Sequence, residues 1–161
     1  MKTKIVLLLV VMLVTLTGCM SGYDFKLSPK EQEVYNSFQK DLNEQHLKKL
    51  EPISIARLYV QAKLDNKTDV IYALYTDKHG HVQWTKEEHE KFPESDRGTT
   101  EQILKTFNNI EKGKFIQTSD FEGYIEYVAS KDAQNVGAEG KSGFQMIKDE
   151  DGIWNVAFQP I

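Results

Sequence analysis

Phe121-Glu122-Gly123-Tyr124-Ile125-Glu126-Tyr127-Val128-Ala129 is the stretch that decides the fold. Phe121, Gly123, Ile125, Tyr127 and Ala129 alternate with Glu122, Tyr124, Glu126 and Val128. Successive side chains of a strand point to opposite faces, so this period of two predicts a strand with one buried and one solvated face. Downstream, Lys141 to Lys148 reads as another strand, and Asp149-Glu150-Asp151-Gly152 as a hairpin turn whose glycine takes a positive φ. Trp154, Val156 and Phe158 then alternate with Asn155, Ala157 and Gln159 until Pro160 ends the strand. Lys114 to Thr118 is a weaker strand before the decisive stretch, and Lys131 to Gly140 is the loosest loop.

Before residue 114 the apolar period is that of helices. Ser28-Pro29-Lys30-Glu31 combines a capping Ser, a Pro at the first helical position and a Glu three residues after the cap. Val34, Phe38, Leu42, Leu47 and Leu50 carry the helix on to Pro52. Pro52 opens a second helix through about Lys63, with Ile55, Leu58, Tyr59 and Ala62 as its apolar face. Asn66 to Asp69 reads as an Asx cap for a third, ending near Tyr75. Val82-Gln83-Trp84 reads as a short extended piece, and Thr85-Lys86-Glu87-Glu88 as a capping box for a helix that stops before Pro93. Asp96-Arg97-Gly98 is a loop, and Thr99 to Gln102 caps a helix through about Asn109. Helices followed by antiparallel strands predict an α+β fold, with N-terminal helices packed on one sheet face.

The chain begins Met1-Lys2-Thr3-Lys4, followed by an apolar run from Ile5 to Leu16. This is the layout of a secretory signal, and the run is shorter than the ~20 residues a membrane span needs. Leu16-Thr17-Gly18-Cys19 closes it and resembles the lipobox of bacterial lipoproteins. The resemblance implies that residues 1–18 are cleaved and that Cys19 carries a diacylglyceryl anchor, since two acyl chains hold a protein stably on a bilayer. The domain expectation is a signal peptide at 1–18, a lipidated tether at 19–28 and one folded domain at 29–161. The tether spans at most about 30 Å.

Loss of Lys2 and Lys4 takes the formal charge from −4 to −6. An acidic chain without a basic block is a poor nucleic-acid partner. Cys19 is the single cysteine, so the folded domain has no disulfide, thiolate ligand or thiol nucleophile. No Gly-x-Ser-x-Gly, phosphate loop or His-Glu-x-x-His is present, and no motif calls for a cofactor.

Pro52-Ile53-Ser54-Ile55-Ala56-Arg57-Leu58-Tyr59 through Ala62, then Asn66 to Asp69 and Tyr72-Ala73-Leu74, resembles the helical start of NTF2-like domains. Asp151-Gly152-Ile153-Trp154-Asn155-Val156 is similar to their final hairpin. The resemblance implies a curved sheet wrapped as a cone around a helix, with a cavity at the open end. The extra helix at 29–50 and the segment 76–98 depart from the simplest pattern and are placed to cover the cavity mouth or to form a partner surface.

Tyr59, Tyr72, Tyr75, Trp84 and Tyr124 are the candidate ligand-binding residues, because Tyr and Trp join an apolar body to a polar tip; Trp154 belongs to the same aromatic set, and all could equally be core. His79 and His81 are candidate metal ligands, with Asp77, Glu88 and His89 nearby and a solvated turn as the alternative. Glu88 and His89 point about 100° apart on a helix, so only one could join. An enzyme would need a cavity carboxylate or imidazole. Asp69, Glu122, Glu126 and His46 are the residues to consider, the first as a helix-start acid, the glutamates on a solvated face, the histidine at a helix edge. The leading expectation is a membrane-anchored, extracytoplasmic, non-catalytic module that binds a small molecule or an envelope protein, with a homodimer through the outer sheet face as a further possibility. The alternative is a small-molecule enzyme of the NTF2-like hydrolase or isomerase type.

Overall fold

The computed structural model describes residues 24–129, 137 and 140–161. The signal segment, Cys19 and most of the loop after Ala129 lie outside the described residues. Five helices precede the sheet: α1 (Pro29–Asp41), α2 (Pro52–Leu64), α3 (Thr68–Ala73), α4 (Lys86–Glu90) and α5 (Thr100–Thr106). Strands β1 (Lys114–Gln117), β2 (Glu122–Val128), β3 (Lys141–Lys148) and β4 (Trp154–Val156) form one antiparallel sheet in that order. The fold is thus α+β, as the change of period implies. No helix among the described residues is long and apolar enough to cross a membrane.

Three capping boxes form where the sequence places them. The Glu31 amide donates to Ser28 Oγ at 3.3 Å, Glu88 to Thr85 Oγ1 at 3.3 Å and Gln102 to Thr99 Oγ1 at 3.2 Å. Each glutamate or glutamine side chain accepts from the cap amide in return, so donors that a helix start leaves free are satisfied.

The first helix is shorter than its apolar spacing suggests. Leu42 turns left-handed at φ 56° and ends α1, and Asn43 caps a single 3₁₀ turn over Glu44–His46. Leu47 is still buried, so the apolar spacing reports burial correctly while the backbone changes beneath it. Ahead of α1, Phe25 and Leu27 pack against the core, and the Arg57 guanidinium lies 5.7 Å over the Phe25 ring.

α2 buries Ile55, Ala56, Leu58, Tyr59, Val60 and Ala62, apolar on most of its circumference, as expected for a helix covered on several sides. Its Tyr59 ring meets Phe144 of β3 edge-on at 5.6 Å. Tyr35 and Phe38 of α1 and Ile125, Tyr127, Met146 and Val156 of the sheet complete this core. In the sheet, Ile125 faces Phe144 in register, and Gly123 faces Met146. A Cβ on Gly123 would stand 2.5 Å from the Phe115 ring, so this strand glycine is required by a close approach. Gly152 takes φ 84° in the β3–β4 turn, as the sequence predicts.

Two features place the site. The segment after α3 lies along the free edge of β4: Val156 donates to the Leu74 carbonyl at 2.8 Å, and Thr76 donates to Val156 at 2.9 Å. The last strand also stops early. Pairing ends at Val156, although the alternation runs on to Gln159. Gln159 turns to φ 53°, and Pro160 returns to accept from the Gln145 amide at 2.7 Å. The intervening loop carries Phe158 and Gln159 off the sheet and towards α2, α3 and α4.

Candidate functional site

A cavity of about 310 Å³ opens between α2, α3, the 76–98 segment and the final residues. α2 contributes Tyr59 and Lys63, the turn after it Asn66, and α3 Thr68 and Ile71. Tyr75 follows from the β4 edge, and the 76–98 segment supplies Trp84, His89, Phe92, Asp96 and Arg97. Gln159, Pro160 and Ile161 close the remaining side. The volume is at the lower end of the range for small-molecule sites. A second hollow of about 280 Å³ shares Tyr59, Lys63 and Arg97 with it.

Ring packing fixes the wall. Tyr75 stacks on Phe158 at 4.5 Å between centroids, and Trp84 meets the same Phe158 edge-on at 4.7 Å. His89, on α4, sits among Tyr72 at 5.6 Å, Tyr75 at 5.7 Å and Phe92 at 5.7 Å, with its plane parallel to Trp84. The Tyr59 hydroxyl faces that of Tyr75 at 3.3 Å.

His89 is only 8% exposed, and neither ring nitrogen makes a hydrogen bond of good geometry among the described residues, although a weak contact with the Thr68 backbone remains. Trp84 Nε1 is likewise buried and without an acceptor. Burial, followed by the positive charges of Arg97 and Lys63, pushes the His89 pKa below its usual value, and the Glu90 carboxylate and a contact with the Thr68 backbone oppose this only in part. The imidazole is therefore neutral at neutral pH. Lys63 is shifted down as well, first by burial and then by Arg97. Its ammonium lies 5.8 Å over the Tyr59 ring. Arg97 donates to Asn66 Oδ1 at 3.1 Å.

Of the five sequence-predicted ligand residues, Tyr59, Tyr75 and Trp84 line this cavity. Tyr72 stands behind it, its hydroxyl donating to the Trp84 carbonyl at 3.3 Å and so holding the 76–98 segment in place. Tyr124 does not belong to the set. It lies in register between Ile116 and Gln145, on the face opposite buried Ile125 and Tyr127, because strand neighbours alternate. Trp154 packs on Phe115 at 4.8 Å, away from the cavity lining.

His79 is exposed, and half-buried His81 packs edge-on to Phe121 at 5.7 Å. Neither belongs to the one group of three His, Cys, Asp or Glu ligand atoms found among the described residues. That group is Asp77, Asp149 and Glu150, whose oxygens lie within 4.8 Å of one another. Of the adjoining pair, Glu88 turns back to cap α4 and His89 turns inward. The carboxylates considered for catalysis stand elsewhere. Asp69 is exposed in the first turn of α3, Glu122 is exposed beside Ser119, and Glu126 pairs with Lys141 at 3.4 Å. His46 pairs with Asp41 at 3.1 Å.

Lys63, Asn66, Phe92 and Arg97 carry no local signal that would have marked them. Asn66 reads as a helix cap, but α3 starts from Lys67 without a side-chain cap, and Asn66 sits left-handed at φ 54° with its carbonyl oxygen bound to Arg97. Val82 to Trp84 forms no strand; it is irregular chain after the turn at 79–81, and its indole packs on Phe158. No protein-family model matches this chain, and comparison with curated proteins and with solved structures finds no match.

Proposed function

We propose that this chain is a lipid-anchored, extracytoplasmic binding module of NTF2-like type that holds a small molecule in the aromatic cavity. One observation carries the binding reading. Trp84 and His89 line the cavity, and the indole nitrogen and both imidazole nitrogens are buried without a well-formed hydrogen bond among the described residues. Buried polar atoms are nearly always hydrogen-bonded, and an unsatisfied one costs about 1–3 kcal/mol. A ligand offering an acceptor to the indole and a partner to the imidazole would remove that cost. The anchor rests on the sequence alone, on Leu16-Thr17-Gly18-Cys19 behind its apolar run.

The test is native mass spectrometry of the full-length protein, extracted from its host envelope in mild detergent and compared with its denatured mass. The expected result is a diacylglyceryl increment on Cys19 that survives denaturation, and a second mass that does not. A bare polypeptide mass under gentle conditions would count against a retained ligand. Persistence in the membrane fraction after Cys19→Ser would count against the anchor.

A second reading, catalysis by His89, has one observation in its favour: a neutral imidazole facing a cavity can act as a base. It lacks an orienting carboxylate, since the one carboxylate side chain lining the cavity is exposed Asp96. Turnover of a bound compound that stops in His89→Gln would favour it; release of that compound unchanged would favour binding.

A further inference from the structure

Given the cavity-binding reading on which this rests, we propose that the ligand is an amphiphilic anion: a flat apolar body against Trp84, Tyr75 and Phe92, and an acidic head at Lys63 and Arg97.

The two cations line the same cavity, and no carboxylate lies within ion-pair reach of either among the described residues. Elsewhere half-buried cations are mostly paired, Lys148, over the Trp154 ring, being an exception. Arg57 meets Glu31 at 3.4 Å and Lys78 meets Glu150 at 2.7 Å. Lys63 and Arg97 are half-buried in the same way, yet their charges repel one another across the cavity and both depress His89. Two desolvated like charges without a counterion are an unfavourable arrangement that an anion relieves.

The geometry favours an acid head over a diffuse counterion. One guanidinium edge of Arg97 is fixed by Asn66 Oδ1 at 3.1 Å, so the fork is oriented while its other donors bond no described protein group. A planar fork of that kind suits a carboxylate, phosphate or sulfonate. Asp96 beside Arg97 is the opposing charge. It is exposed and accepts from the Ser95 hydroxyl at 3.0 Å, so it is solvated and only partly offsets the pair.

The experiment compares two fluorescent probes of matched ring system on the full chain in detergent. One is 8-anilinonaphthalene-1-sulfonate, an aromatic anion. The other is N-phenyl-1-naphthylamine, its uncharged counterpart. The expected result is saturable binding of both, with the sulfonate about tenfold tighter, equivalent to about 1.4 kcal/mol. Lys63→Gln and Arg97→Gln should each erase most of that preference, weakening the sulfonate several-fold more than the neutral probe. Lys63→Met, which keeps an apolar stem over Tyr59, serves as the second variant should Lys63→Gln alter the melting curve. Raising the salt concentration should weaken the sulfonate alone. Equal affinities, or a preference that survives all three substitutions, would overturn the anion inference and leave the cavity reading standing. Binding of neither probe would overturn the cavity reading itself.

Discussion

Two regions on either side of Tyr75 and Thr76 bury polar groups, and they do so in opposite ways. Around Asp149, at the end of β3, the carboxylate is 6% exposed and fully engaged. It accepts from the Thr76 hydroxyl, from the Asp77 amide at 3.1 Å and from Asn155 Nδ2 at 2.8 Å, while its own amide donates to Ile153 at 2.9 Å. Around His89 the burial is similar and the partners are missing. The first cluster ties the α3–α4 connection to the final hairpin and serves the fold. The second leaves polar atoms without partners among the described residues, an arrangement that disfavours the fold. The division is one of degree, since Asn155 Oδ1 beside Asp149 also lacks a partner among the described residues; what sets the second region apart is that its unpartnered atoms belong to residues lining one cavity.

The largest expected effect falls on the satisfied cluster. Asp149→Ala leaves a hydroxyl, an amide and a carboxamide without their acceptor, and should cost about 3 kcal/mol in urea unfolding. A loss below about 1 kcal/mol would mean that water replaces the carboxylate easily, and the contrast between the two regions would collapse.

The opposite sign is expected at His89. His89→Phe keeps a ring among Tyr72, Tyr75 and Trp84 and removes two orphaned nitrogens, so the free protein should gain about 1 kcal/mol. The pH profile supplies a second measurement. Its folded pKa lies below the ordinary 6.5, so its contribution is fully present above that value. Below it the unfolded chain takes up the proton first, and stability falls as pH drops. His89→Phe should remove that acid-side fall. Destabilisation by the substitution would show that the imidazole is satisfied in solution, and the case for a ligand would weaken with it. Trp84→Phe belongs to the same test, with a smaller change: loss of an orphaned N–H offsets loss of ring volume, leaving stability within about 1 kcal/mol of the parent.

The contrast also explains what the sequence could and could not reveal. The sheet and the three capping boxes rest on local rules, period two and residues three apart, and both are readable within ten residues. The Asp149–Gly152 turn is local too. The site is not. Lys63 and Arg97 stand thirty-four positions apart in sequence and line one cavity, where Asn66, left-handed after α2, binds the guanidinium. Tyr59, Tyr75 and Trp84 are legible as amphipathic aromatics on elements able to line a pocket, whereas Tyr124 shares their chemistry but lies on the wrong strand face. The strand parity that already put Glu122 and Glu126 in solvent applies equally to Tyr124. Phe158 and Gln159 were hidden for a different reason: their alternation continues that of β4, and only the early end of pairing at Val156 takes them off the sheet.

The smallest effect sharpens the comparison from the far side of the Asp149 cluster. Glu44, in the 3₁₀ turn after α1, is half-buried and faces Asp77, Asp149 and Asp151. Burial, then repulsion by those carboxylates, raises it from the ordinary 4.5 to about 7. Below 4.5 both folded and unfolded chains hold the proton, and the group imposes no penalty. Between 4.5 and about 7 the unfolded chain ionises while the folded one does not, so stability falls as pH rises. Glu44→Gln should therefore stabilise the protein by about 1 kcal/mol at pH 8, discounting for solvent screening of a half-exposed group, and have no effect at pH 4. This slope runs against that of His89 over the weakly acidic range, so the parent protein can show a nearly flat profile there while each single variant exposes the other group's slope. A Glu44→Gln curve parallel to the parent at every pH would mean that the acidic cluster exerts no net field on its neighbour. The satisfied region would then be held by its hydrogen bonds alone.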